Sequence, residues 1–309
     1  MSPDIPASVR ARLLNLAEQT HDDFQLYLVR FAAERFLYRL GRSAHRDRCI
    51  VKGAGLLALW MNDPYRPTRD IDLLASGASD RESVRQLMRD ICTVECPEDG
   101  LVFDLETLDV APIRAVEEYQ GQRARLTARL GNARIRFQVD MGFGDAVTPA
   151  PEEHDYPTLL EDLPAPRIRA YRREVSLAEK FEAMVKLGRS NSRMKDFHDA
   201  WALSSQFDFE GPVLKAAVRA CFERRRTSLD ELPDALRSAF YEDGRLDAFW
   251  RAYVEAGTFS APPPTSFEVL GERIREFFGP LRESLVAEVA FEREWPAGGP
   301  WRAFAGGPE

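Results

Sequence analysis

Residues 50–74 read IVKGAGLLALWMNDPYRPTRDIDLL, and the rest of the chain is organised around them. Cys49, Ile50 and Val51 form a short apolar strand signal, Gly53, Ala54 and Gly55 a turn, and residues 56–61 an apolar helix. A polar loop marked by proline follows, and then a second strand that carries Asp70 and Asp72. The start of a helix exposes unpaired backbone N–H groups at the positive end of its dipole, so the turn after Lys52 is suited to cradle phosphate oxygens. Side chains two apart on a strand share a face. Asp70 and Asp72 therefore converge on one ion while Ile71 and Leu73 point into the core. Two carboxylates that leave room for phosphates and water suit Mg²⁺. Each half also has an ordinary reading: Asp-x-Asp is common in acidic proteins, and glycine in a strand-to-helix connection serves the backbone.

Composition bounds the answer. The 309 residues, 44% of them hydrophobic, are enough for one large core or two modest ones without a metal or disulfide staple. Against 42 Lys and Arg stand 50 Asp and Glu, a net charge of −8. That excludes a protein that coats nucleic acid broadly, because such binding rests on neutralising many phosphates, but it leaves room for a local basic track. The start, MSPDIPASVR, has neither a basic stretch nor an apolar run, and no run reaches the roughly 20 apolar residues that span a bilayer. No membrane association is expected, and the location expected is cytoplasmic. Cys49, Cys92, Cys96 and Cys221 lack zinc-site spacing and are expected as reduced thiols.

Along the chain, residues 22–40 carry Phe24, Tyr27, Leu28, Phe31, Ala32, Phe36 and Leu37 at helical spacing, with Asp22 as N-cap, Gly41 as stop, and Arg30, Arg35 and Arg39 on a solvated face. Ser79 and Glu82 make a capping box for a helix to about residue 92. Three extended segments follow, near 101–108, 122–130 and 133–141. The last two alternate, with Ala124, Leu126, Ala128 and Leu130 on one face and Ile135, Phe137, Val139 and Met141 on the other strand's matching face. Gly131-Asn132 between them is a two-residue hairpin signal. Asp140 falls on the polar face of this hairpin and, read alone, is a polar residue at a strand end.

Residues 146–168 are rich in proline and acid and read as a connection, after which the pattern is helical. Ser176 with Glu179 forms a second capping box, and Ser192 is placed to cap the next helix. Alone, Lys180 reads as a solvent-facing lysine, Asp196 as a first-turn acid favoured by the helix dipole, His198 as a packing or surface histidine, and Arg224 to Arg226 as a solvated face. Residues 227–240, 246–256, 267–278 and 281–291 read as further helices, and the end, PAGGPWRAFAGGPE, as flexible.

In order and spacing, KGAGLLALW followed by RPTRDIDLL resembles the nucleotidyltransferase superfamily related to polymerase beta, and more narrowly the AbiEii/AbiGii toxin family. VDMGFGDAV around Asp140 and AEKFEAMVKLGRSNSRMKDFHDAW with Lys180 and Asp196 continue the similarity, which runs from about residue 50 to residue 204. The resemblance implies an α+β fold, a mixed or antiparallel nucleotidyltransferase sheet flanked by helices and followed by a helical C-terminal region. The expected divisions are an N-terminal helical segment (1–45), the core (46–148), a connecting segment (149–172), a helical domain (173–295) and a tail (296–309).

It implies further that Asp70, Asp72 and Asp140 hold Mg²⁺, Asp140 completing the site or acting as base. Lys52, Gly53, Ala54, Gly55 and Lys180 are then expected at the triphosphate of an NTP, and Asp196 at Lys180, the nucleotide or the acceptor. Asp145 is a weaker candidate acid. The acceptor implied is RNA, such as the 3′ end of tRNA, and the partner a cognate antitoxin. One departure matters: the serine or threonine that commonly follows the turn glycine in the superfamily is missing here, where Gly53, Ala54 and Gly55 offer no hydroxyl. Two other readings remain: transfer to a small molecule or protein side chain, which suits an acidic chain, and a non-catalytic nucleotide- or antitoxin-binding module.

Overall fold

Alternating residues in 122–141 build the centre of a sheet, and the rest of the first half is arranged on it. The computed structural model describes residues 4–61, 70–113, 121–144, 147–259 and 262–304. The chain divides into two units, Met1–Asp145 with Glu152–Ala170, and Ala146–Pro151 with Tyr171–Glu309. The first contains α1 (Ile5–Thr20), α2 (Phe24–Arg42), β1 (Cys49–Lys52), α3 (Gly55–Met61), β2 (Asp70–Ala75), α4 (Arg81–Cys92), β3 (Leu101–Pro112), β4 (Gln122–Leu130), β5 (Ala133–Phe143), β6 (Glu152–Asp155) and β7 (Arg167–Ala170). Its strands form one mixed sheet in the order β3-β4-β5-β2-β1-β7-β6. β2 runs parallel to β5 and β1 parallel to β7, while the other neighbours are antiparallel.

The β4–β5 hairpin turns at Gly131, whose φ of 59° is left-handed, and its register pairs Leu130 with Ala133. Ala124, Leu126, Ile135, Phe137, Val139, Met141, Ile71 and Leu73 are all buried. Phe36 of α2 packs on this face, 5.2 Å from the ring of Phe137 and 6.0 Å from that of Phe103. Burying each such ring stabilises the fold by about 2–3 kcal/mol.

Several local expectations are corrected. Arg35 and Arg39 are buried rather than solvated, because α2 is covered on more than its apolar stripe. Each is paired: Arg35 with Glu34 at 2.9 Å, and Arg39 with both oxygens of Asp99 at 2.7 and 3.2 Å. Asp23, not Asp22, caps α2, and the helix passes Gly41 to end at Arg42. Gly41 is there for close approach, since a Cβ would stand 2.4 Å from the Arg167 carbonyl oxygen of β7. Asp80 rather than Ser79 caps α4, accepting from the N–H groups of Glu82 and Ser83. The stretch read as a connection contains β6 and β7, which add two strands to the sheet.

The second unit holds α5 (Arg173–Leu187), α6 (Met194–Gln206), β8 (Phe209–Glu210), α7 (Gly211–Arg225), α8 (Ser238–Tyr241), α9 (Gly244–Ala256), α10 (Phe267–Val286), β9 (Arg293–Trp295) and β10 (Arg302–Ala303). Its core is aromatic: Phe181 stacks on Phe278 at 4.2 Å, and Phe197 meets Phe267 edge-on at 5.5 Å. α5 starts at Arg173 with no side-chain cap, which leaves Ser176 buried inside the helix. α6 starts after Arg193, and Asn191 rather than Ser192 orders its approach by accepting the Arg193 N–H at 2.8 Å. Residues 227–240 form only a short 3-10 turn (Asp234–Leu236) and α8, and α10 continues through Pro280 to Val286. Nor is the described part of the tail loose. The small sheet β10-β9-β8 ties it down, and Trp301 packs 5.6 Å from Phe277 while its Nε1 donates to the Phe277 carbonyl. Residues 305–309 lie outside the described residues.

Candidate active site

Register places the sheet residues of the candidate site in one row. Lys52 of β1 is the neighbour of Asp72 on β2, Asp72 that of Asp140 on β5, and Asp140 that of Arg123 on β4. A second row beside it runs Asp70, Gln138, Arg125. Neighbouring strands are about 4.8 Å apart and register partners share a face, so all of these side chains stand opposite the buried residues. Asp70 is exposed and Asp72 half-buried, as a site open to substrate requires.

The turn is fitted to Asp72. Gly53 has φ 74°, and a Cβ there would lie 2.0 Å from Asp72 Oδ2. Glycine is thus required twice, for the left-handed backbone and for the carboxylate that rests against it. At the other end of the turn the Tyr156 hydroxyl donates to the Gly55 carbonyl at 3.0 Å. Burial pushes the Tyr156 phenol up to about 12, so it stays a donor at neutral pH. Tyr156 was not legible as a site residue, because it lies in the proline-rich stretch that shows no strand alternation.

Asp140 is gripped by an arginine that the sequence reading passed over. Arg123 Nε and its terminal nitrogen donate to the two oxygens of Asp140 at 2.7 and 2.5 Å, and Gln138 Nε2 adds a third contact at 3.2 Å. The guanidinium is held above its ordinary pKa first by these bonds to Asp140, with further contributions from the Asp70 and Asp72 carboxylates. The signal was present: carrying the register back from the Gly131-Asn132 turn pairs position 123 with position 140.

Among the described residues no three His, Cys, Asp or Glu side chains are gathered tightly enough to hold a metal ion by themselves. The donor set that Mg²⁺ needs is smaller: one or two carboxylates, completed by substrate phosphates and water. Asp70 and Asp72 fit that set. Asp140 is turned to Arg123, and would join only by exchanging that partner. Asp145 lies outside the described residues, as do residues 62–69.

In the second unit Lys180 and Asp196 meet, through a third residue. Lys180 Nζ donates to Asp199 at 2.6 Å and stands 3.7 Å from Asp196, whose other oxygen is 2.7 Å from Arg193 Nε. Lys180 is 12% exposed and Asp199 wholly buried, so the lysine is not solvent-facing. Asp199 follows Asp196 by three, one helical turn on the same face, which is the signal that could have found it. Arg225 likewise leaves the expected solvated face, pairing with Glu182 at 2.8 Å and Glu179 at 3.1 Å. His198 packs against Trp201 and Phe259 with Nδ1 2.9 Å from the Tyr253 hydroxyl, a helix-packing histidine.

The model of the family described as nucleotidyl transferase AbiEii toxin, type IV toxin–antitoxin system, matches residues 35–277. Among solved structures, MenT4, a nucleotidyltransferase toxin from Mycobacterium tuberculosis, shares 17% identity and a TM-score of 0.57, covering 92% of this chain and 90% of its own. A putative nucleotidyltransferase from Helicobacter pylori (12% identity, TM-score 0.46, 83% and 94% covered) and JHP933 from the same organism (13%, 0.45, 82% and 90%) also match. No curated protein matches. The likeness to MenT4 places the α+β architecture among nucleotidyltransferase toxin folds. Among the described residues no helix is long and apolar enough to cross a membrane.

Proposed function

We propose, from the premise that the chain belongs to the AbiEii nucleotidyl transferase toxin family of type IV toxin–antitoxin systems, that this nucleotidyltransferase transfers a nucleotide from an NTP to an RNA acceptor such as the 3′ end of tRNA. The observation that carries the reading is the fit of Asp72 against Gly53, which sets a half-buried carboxylate beside the turn. Phosphoryl transfer asks chiefly for positioning and charge neutralisation. Asp70 and Asp72 would hold Mg²⁺, which would neutralise phosphate charge. The backbone of residues 53–55 orients the triphosphate, with Lys52 beside it. In the second unit Lys180, oriented by Asp199 and Asp196, is the candidate phosphate ligand.

Asp140 takes the proton of the attacking hydroxyl or completes the acid set once Arg123 turns to substrate phosphate. The attacking 3′ hydroxyl forms a bond to the α-phosphorus as the bond to pyrophosphate breaks. A cognate antitoxin is the partner of this reading, and a cytoplasm its setting.

Incubation with total tRNA, Mg²⁺ and each labelled NTP in turn, beside Asp70→Ala, tests it. Label on tRNA with the wild type alone is the expected result. Label that appears only on a small-molecule or protein acceptor, with a rate that hardly depends on salt, would replace the RNA acceptor.

A further inference from the structure

Beside Asp70 lies a cleft of about 800 Å³ whose lining combines Gln25, Leu26 and Val29 of α2 with Asp70, Arg125, Arg134 and Arg136 of the sheet. Five arginines stand on the polar face of β4 and β5, at positions 123, 125, 129, 134 and 136. Two are neutralised, Arg123 by Asp140 and Arg129 by Asp104 at 2.5 Å. Arg125 donates to the neutral Gln138 amide oxygen at 3.0 Å and keeps its charge. Arg134 and Arg136 are exposed, and among the described residues neither guanidinium has an ion pair or hydrogen bond. Three unneutralised guanidinium groups thus share one cleft in a chain of net charge −8, where they repel one another and gain only from an incoming polyanion.

Their placement says which polyanion. Gln138 is the register neighbour of Asp70, and Arg136 and Arg134 follow on the same face of β5 in steps of about 6.8 Å, leading away from the acids. The residue 53–55 turn joins β1, on the other flank of β2, so Asp70 and Asp72 stand between the turn and the arginines. A triphosphate at the turn and a second phosphate chain along β5 would reach the acids from opposite sides. Guanidinium forks clamp phosphate oxygens two at a time.

We propose that Arg134, Arg136 and Arg125 bind successive backbone phosphates of the acceptor RNA and deliver its 3′ end to Asp70 and Asp72. This rests on the RNA acceptor of the preceding reading. The test is the binding of a fluorescein-labelled single-stranded RNA, without NTP, to the full chain over a range of salt, for wild type, R134E/R136E and R134K/R136K. Binding of Mg²⁺ with a non-hydrolysable NTP and the melting temperature are measured in parallel.

For R134E/R136E the expected result is an RNA affinity at least about tenfold weaker, a log–log salt slope smaller by about 1.4, unchanged NTP binding and unchanged melting; lysine at both positions restores most of the affinity. Unaltered RNA binding by the charge-reversed protein overturns the assignment. So does weakened NTP binding with RNA binding intact, which would give the arginines to the triphosphate. If the arginines prove necessary for RNA binding while the wild type transfers no nucleotide to RNA, the transfer reading fails and the binding site stands.

Discussion

The sheet row of Lys52, Asp72, Asp140 and Arg123 and the helical set of Lys180, Asp196 and Asp199 are both rich in charge, but they hold it differently. In the first unit Asp70 is exposed and Asp72 half-buried, so an incoming cation can reach them at modest desolvation cost. In the second, the Asp196 and Asp199 side chains are 4% and 0% exposed and ion-paired with Lys180 and Arg193. The difference teaches that one set is available for chemistry while the other also holds its helices together. Substitution should therefore separate activity from stability in the sheet and join them in the helices.

The sharpest break is Asp72→Ala, expected to lower nucleotide transfer by at least about 1,000-fold, on the order of 4 kcal/mol, with melting unchanged. Chelation of divalent metal should do the same without any substitution. The opposite pattern is expected of Asp199→Ala: removing the closer partner of a buried pair leaves Lys180 with only Asp196, 3.7 Å away, and costs about 3 kcal/mol of folding stability, read by denaturant unfolding. Asp199→Ala with wild-type stability would break the comparison.

Gly53→Ala sits between the two in kind. Its Cβ would overlap the Asp72 carboxylate and force a left-handed alanine, so transfer should fall about 100-fold with a stability loss of about 1–2 kcal/mol. The smallest effect expected is on pH dependence, through Glu34. Burial raises its pKa from 4.5 to about 7, against the lowering influence of Arg35 and the Leu159 N–H. A carboxyl raised on folding contributes its stability fully below 4.5 and loses it as pH rises through 7. Relative to Glu34→Gln, the wild type should therefore weaken by about 1 kcal/mol per pH unit between pH 5 and 7. Parallel stability curves for the two proteins would contradict this.

The same contrast explains what the sequence disclosed. A strand has period two, so the faces of Asp70, Asp72 and Asp140 could be read directly, and the hairpin turn fixed the register that contains Arg123. A helix shows which side is apolar but not how many neighbours cover the rest, so Arg35, Arg39 and Arg225 were placed in solvent when they are paired in the interior. Caps slipped where two candidates adjoin, Asp22 and Asp23 or Ser79 and Asp80, because local composition favours both equally. Strands β6 and β7 are four residues each within a proline-rich stretch. That is too short for a period to emerge, and Tyr156 was lost with them.

The most direct measurement is the rate of label incorporation from NTP into RNA by wild type, Asp72→Ala and Asp199→Ala, each with a melting curve on the same sample. No incorporation is expected from Asp72→Ala at an unaltered melting temperature, and reduced incorporation from Asp199→Ala at a lower one. Incorporation by a folded Asp72→Ala at the wild-type rate would contradict this expectation, because the chemistry would then lie away from the row that Gly53 and Asp72 define.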